Sequence, residues 1–122
     1  MPTPGEDLTG YLESYPREMA FADDPVAVLD RYHTPDYTCY NDGARLDRAA
    51  LLAHVQPIRR RGITAVRVEV QDAMVQGDQA AARYTLIAET RKGRTLTTEV
   101  YLFGRLAPDG RLTRVDQITR IP

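Results

Sequence analysis

The chain has 122 residues, 43% hydrophobic and 27% charged, with 16 basic against 17 acidic side chains and a formal net charge of -1. That size suits one domain with one core, and the balance excludes a disordered chain, a fibre, or a protein drawn to nucleic acid or membrane by its overall charge. The single cysteine, Cys39, excludes an internal disulfide and offers no zinc cluster, and no segment approaches the ~20 apolar residues of a membrane span. The amino-terminal MPTPGEDLTG lacks the basic and apolar regions of a secretion signal, so a cytoplasmic protein is expected.

The first periodic segment, residues 6 to 21, places Leu8, Leu12, Tyr15 and Met19 three and four apart, one face of a helix. Pro16 lies inside it and predicts a kink or two shorter pieces, because proline has no N–H and crowds the preceding turn. Asp23-Asp24-Pro25 then supplies a cap and a first-turn proline for a second helix, with Val26, Leu29 and Tyr32 inward, which Pro35 terminates. Tyr37 to Asn41 is rich in β-formers and stops at Asp42-Gly43, a short strand and a turn. Asp47 caps a third helix from Arg48 to about Arg61, with Leu51, Val55 and Ile58 on its buried face, Pro57 distorting its last turn and Gly62 closing it.

From Thr64 the period changes to two. Val66, Val68 and Val70 alternate with Arg67, Glu69 and Gln71 as far as a turn at Gly77-Asp78. Further strands follow over Gln79–Thr90, Thr95–Leu106 and Arg111–Ile121, separated by turns at Lys92-Gly93 and Pro108-Asp109-Gly110. Helices first and hairpin-linked strands afterwards predict one α+β domain over residues 1–122, a curved antiparallel sheet closing over the helices.

This order resembles the nuclear transport factor 2-like (cystatin-like) superfamily of cone-shaped α+β barrels, in its SnoaL-like polyketide cyclase and ketosteroid isomerase-like branch. Glu99-Val-Tyr101-Leu-Phe103 followed by Asp109-Gly110-Arg111-Leu112 is similar to the superfamily's last hairpin, and Tyr37-Thr-Cys-Tyr40-Asn41-Asp42-Gly43 is a weaker match near its early strand. Such a fold hosts isomerases, cyclases, dehydratases, hydrolases and non-catalytic binders, so activity has to be argued from the site.

Strand positions two apart share a face, which sets Thr97, Glu99, Tyr101 and Phe103 against Val100 and Leu102. Both faces carry apolar groups. The resemblance implies that the Glu99 face lines the cavity, where desolvation would keep a carboxylic acid neutral and able to donate to a substrate oxygen. The alternative for Glu99 is an exposed strand residue paired with an arginine. Asp116 shares parity with Leu112 and Ile118, which could face it inward; the resemblance to SnoaL-like cyclases implies an aspartate for proton transfer, and Asp116 is the candidate for that role, or else the partner of Arg83, Arg105 or Arg114. The isomerase base expected at the end of the early strand falls on Asn41, an amide, so either a bulge turns Asp42 inward or that base is absent.

His54 lies within about 60 degrees of the Leu51-Val55-Ile58 face and reaches inward as a proton shuttle or a core imidazole. Tyr11 or Tyr15 could supply a phenolic donor or simply fill the core, and Tyr40 and Tyr84 could line the cavity wall. His33 caps the end of the second helix, Cys39 has no evident activating neighbour, and Arg59-Arg60-Arg61 faces a helix dipole or binds phosphate. No dinucleotide, Walker or zinc-protease motif occurs.

The resulting expectation is a cofactor-independent, metal-free cyclase or isomerase. Glu99, Asp116, His54 and Asp42 are its candidate catalytic residues, and Tyr15, Tyr40, Asn41, Tyr84, Tyr101 and Phe103 line a pocket for a small apolar carbonyl-bearing molecule. A non-catalytic ligand binder or dimeric accessory protein is the alternative, and a dehydratase or epoxide hydrolase a weaker one. A homodimer is expected, with Val66, Val68, Val70, Val100 and Leu102 offering a spare apolar face.

Overall fold

Asp7 opens the first helix by accepting the Gly10 N–H at 2.9 Å, which satisfies one of the donors a helix start leaves unpaired. In the computed structural model, which describes residues 2–122, this helix α1 runs unbroken over Leu8–Phe21. Pro16 sits inside it, so the expected division into two pieces does not occur. The lost hydrogen bond is offset by the burial of Leu8, Tyr11 and Leu12, with Tyr15 and Met19 packed beside them. Each fully buried aliphatic side chain contributes roughly 1.5–3 kcal/mol.

Helix α2 spans Pro25–Tyr32, and Asp24 accepts from the N–H groups of Val26 and Ala27. Its buried face is Val28, Leu29 and Tyr32, while Val26, expected inside, is 40% exposed. Strand β1, His33–Asn41, follows at once and begins four residues earlier than the sequence pattern suggests. Pro35 fits there because β2, Ala44–Leu46, pairs only with Cys39, Tyr40 and Asn41, which leaves the proline without a neighbour on that side. Helix α3, Arg48–Arg60, is capped by Asp47 through the Ala50 N–H, and Val55 is its buried residue, with Ile58 44% exposed.

The long strands are β3 Ile63–Gln76, β4 Gln79–Thr90, β5 Thr95–Leu106 and β6 Leu112–Arg120. The six strands form one sheet in the order β2-β1-β6-β5-β4-β3. β1 and β6 run parallel, so the sheet is mixed, and it is open, with β2 and β3 at its edges. Three helices against this sheet give an α+β cone.

Register decides which side chains enter the cone. Val70 lies opposite Tyr84, Tyr84 opposite Val100, and Ala82 opposite Leu102. Tyr84, Ala82, Val100 and Leu102 are all buried with Leu12, Leu112 and Val115. The inner face of β5 is therefore Val100, Leu102 and Gly104. Those residues and Val68 are core, Val70 packs against it and Val66 faces the same side, so the spare apolar surface is the opposite face.

Candidate functional site

Helix α1 and the start of β1 bring an aromatic cluster into the cone. The His33 ring is 1% exposed, with Nδ1 2.8 Å from the Leu29 carbonyl oxygen and Nε2 2.8 Å from the Tyr11 hydroxyl. A carbonyl can only accept, so Nδ1 carries the proton, Nε2 is the acceptor, and Tyr11 donates to it. Burial favours the neutral imidazole and lowers its pKa from 6.5 to about 4.

Tyr15 lies one turn further along α1. Its ring stacks on Tyr11 with centroids 5.3 Å apart and meets Tyr32 and His33 edge-on at 5.9 and 4.8 Å. Three rings thus fix its orientation. The phenol pKa values of Tyr15 and Tyr84 are raised by burial, so both remain neutral donors. The Tyr15 hydroxyl has no hydrogen-bond partner among the described residues, and no fully enclosed side-chain oxygen there is left unsatisfied, so this hydroxyl opens on accessible space.

The Tyr15 side chain also borders a cavity of about 250 Å³ between α1, α3, β3 and β4. Ten of its twelve lining residues are apolar, among them Met19, Leu51, Ile58, Val66 and Leu86; the other two are Tyr15 and His54. Ligand pockets commonly measure ~300–1,000 Å³, and an apolar cavity of ~150 Å³ accepts benzene, so this one fits a molecule of one or two rings.

The acids expected in the cavity lie elsewhere. Glu99 is on the outer face of β5, 3.5 Å from Arg120, because Val100 and Leu102 occupy the inward positions. Tyr101 and Phe103 share that outer face and are 48% and 43% exposed. Asp116 lies opposite Phe103 and takes two hydrogen bonds from Arg114, at 2.9 and 3.1 Å, which hold its carboxyl below the usual carboxylate range. The Arg114 guanidinium also lies 4.3 Å from the ring centroid of Tyr40. Asp42 has φ 51° at the β1–β2 turn, where it accepts from the Thr119 N–H at 2.8 Å and from the Thr119 hydroxyl. No bulge turns it inward. Asn41 accepts from the Gln117 amide at 3.0 Å and Tyr84 lies deep in the core, so neither borders the cavity. Of the candidate residues, Tyr15 and His54 border this cavity, and His54 is exposed at its edge rather than turned into the interior as expected.

The SnoaL-like domain profile matches residues 12–115. The chain belongs to the SnoaL-like family. Among solved structures it is similar to IdmH of Streptomyces antibioticus, a candidate polyketide cyclase, at 19% identity and TM-score 0.70 over 95% of this chain and 91% of that one. It is also similar to AclR of Streptomyces galilaeus, a candidate hydroxylase, at 17% identity and TM-score 0.66 over 88% and 86%. A Catenulispora acidiphila protein with a ketosteroid isomerase-like fold, in complex with trimethylamine, matches at 15% identity and TM-score 0.66 over 95% and 85%. No curated protein sequence matches the chain. At these identities the likeness establishes the fold.

In this SnoaL-like chain the polar centre of the cone is phenolic. Sequence reasoning assigned His33 to a helix cap, and its ring does contact the Leu29 carbonyl, but its place in the core with Tyr11 was missed. The signal was the alternation of His33, Tyr37 and Cys39, which continues the inward face of β1 back past Pro35 and leaves all three buried. Burial raises the Cys39 thiol pKa, the opposite of what a nucleophile needs.

Proposed function

We propose that the protein binds a small, mainly apolar molecule carrying a carbonyl or similar oxygen in the α1–α3–β3–β4 cavity and performs cofactor-independent proton transfer on it, as an isomerase or cyclase. The observation that carries this reading is the pairing of one partnerless phenol, Tyr15, with one imidazole, His54, on an otherwise apolar lining. Tyr15 donates to the ligand oxygen, and its fixed ring spares the reorganisation that a free side chain would need. His54 takes or returns the carbon-bound proton. Positioned acid–base groups are typically worth ~100 to 10,000-fold in rate, sufficient for a carbon acid activated by a hydrogen-bonded carbonyl.

A bicyclic ketone such as 1-tetralone in deuterated water tests the reading, with binding followed by chemical-shift perturbation and exchange at the carbon next to the carbonyl by loss of its proton signal. Protein-dependent exchange that Tyr15→Phe and His54→Gln each reduce by ~100-fold or more supports it. The second reading, a non-catalytic binder, is favoured by the distance of every carboxylate candidate from the cavity. Tight binding without exchange would select it.

We also propose that the outer sheet face pairs with a second copy of the chain. Met74, Tyr101, Phe103 and Ile118 border an open depression there of about 650 Å³. Its Arg83–Asp72 and Arg114–Asp116 pairs neutralise each other within the face, leaving mainly apolar surface to cover.

A further inference from the structure

Of the 16 basic side chains, nine hold a carboxylate within 4.0 Å, all of them arginines spread over the fold. Six of the remainder fall in two short stretches, Arg59-Arg60-Arg61 at the end of α3 and Arg91, Lys92 and Arg94 in the β4–β5 turn. The fold brings these stretches together. The Arg91 N–H donates to the Gly62 carbonyl at 2.8 Å, Ile63 pairs with Thr90, and Thr90 and Arg94 are joined across the turn. None of the six has an ion-pair partner among the described residues, and no acid lies within either stretch.

Attraction to a helix dipole accounts for only part of this. Arg59 donates to the Met19 and Ala22 carbonyls at the end of α1 and is a structural clamp. Arg60, Arg61, Arg91, Lys92 and Arg94 are exposed, and the last three lie on no helix. Like charges gathered without counter-ions repel, so the patch has a standing affinity for an anion.

Its position supplies the ligand. Ile58 and Ile63, which line the cavity, flank Arg59 to Gly62 in the chain, and Ala88, also on the lining, leads through Thr90 to Arg91. The basic patch therefore forms one lip of the apolar cavity. We infer that the cavity's ligand is amphiphilic, with its apolar rings between α1, α3, β3 and β4 and a tethered anionic group, a phosphate or carboxylate, held at this lip. The inference rests on the cavity being the ligand site. It adds a recognition element that neither Tyr15 nor His54 provides.

The test compares two probes that share a naphthyl ring on a six-carbon chain, one ending in phosphate and one in hydroxyl, with binding read by naphthalene fluorescence. At about 20 mM salt the phosphate should bind at least ~10-fold tighter, and the advantage should fall below ~3-fold at about 500 mM as screening shortens the reach of the charges. A variant carrying Arg60→Gln, Arg61→Gln, Arg91→Gln and Lys92→Gln should lose that advantage and keep its affinity for the alcohol. Inorganic phosphate alone should compete weakly, because it lacks the apolar anchor. Equal binding of the two probes to the unaltered protein, or an undiminished advantage in the variant, overturns the inference. Alcohol binding without a phosphate advantage spares the cavity reading, whereas failure of both probes overturns cavity and lip together. Co-sedimentation with phosphatidylserine vesicles alongside equal probe affinities would assign the patch to a lipid surface and likewise overturn it.

Discussion

The Tyr11 hydroxyl and His33 Nε2, 2.8 Å apart and buried, form the hydrogen bond on which the interior of the cone is arranged. With Nδ1 donating to Leu29, the imidazole spends both nitrogens on protein groups and has none left for a ligand. Asp30 favours the charged ring and Arg111 opposes it, but desolvation outweighs both. A histidine whose folded pKa lies below its unfolded value takes up a proton on unfolding, so acid favours the unfolded chain. This stability is present in full above the unfolded pKa of 6.5 and is lost as pH falls towards about 4. The loss amounts to about 3 kcal/mol across that window. Urea midpoints should therefore decline between pH 7 and 4.5, and the decline should flatten in His33→Gln; the same slope in both proteins would refute the assignment.

Removing either phenolic oxygen of the stacked pair should have opposite consequences. Tyr11→Phe leaves Nε2 of His33 buried without a donor, at a cost of about 1–3 kcal/mol in unfolding free energy. Tyr15→Phe breaks no protein hydrogen bond and keeps the ring stack, so its stability should stay within ~0.5 kcal/mol of the parent. Its affinity for a ketone probe should fall roughly 5- to 10-fold, the worth of one hydrogen bond. Thermal or urea denaturation together with fluorescence titration separates the two.

Glu99→Gln and Asp116→Asn should leave probe binding and any hydrogen exchange within ~2-fold of the parent, because both carboxylates lie across the sheet from the cavity and pair with Arg120 and Arg114. A ~100-fold loss of exchange in either would show that the outer face carries the chemistry.

The strands were legible because a period of two is a strong signal, and Gln79–Thr90 and Thr95–Leu106 lie where the alternation puts them. Which face turns inward was not, since β5 offers Tyr101 and Phe103 on one side and Val100 and Leu102 on the other. The inner set, Val100, Leu102 and Gly104, has no charged member, whereas Glu99 and Arg105 flank the outer aromatics. Charge placement was thus the better cue than aromatic content. Gly104 is a second cue, because a Cβ there would meet the Leu112 side chain at 2.9 Å, the crowding of an inward position. Helix caps at Asp24 and Asp47 were read correctly because capping is local, while the joining of the Arg59 and Arg91 stretches is a tertiary event that spacing does not encode.

The proposed self-association makes the remaining prediction. Ile118 and Met74 are 66% and 68% exposed on the outer face beside Tyr101 and Phe103, a contiguous apolar surface of the kind that marks an interaction site. Its ion pairs are satisfied within one chain, so a partner need bring no complementary charge, which suits an identical face related by a two-fold axis. Light scattering should give twice the 13.7 kDa chain mass. Ile118→Glu with Phe103→Glu places charges opposite their own copies and should return the monomer mass, while the inward core and the affinity of the cavity for a neutral ketone remain unchanged. A monomeric parent protein at micromolar concentration would exclude the dimer.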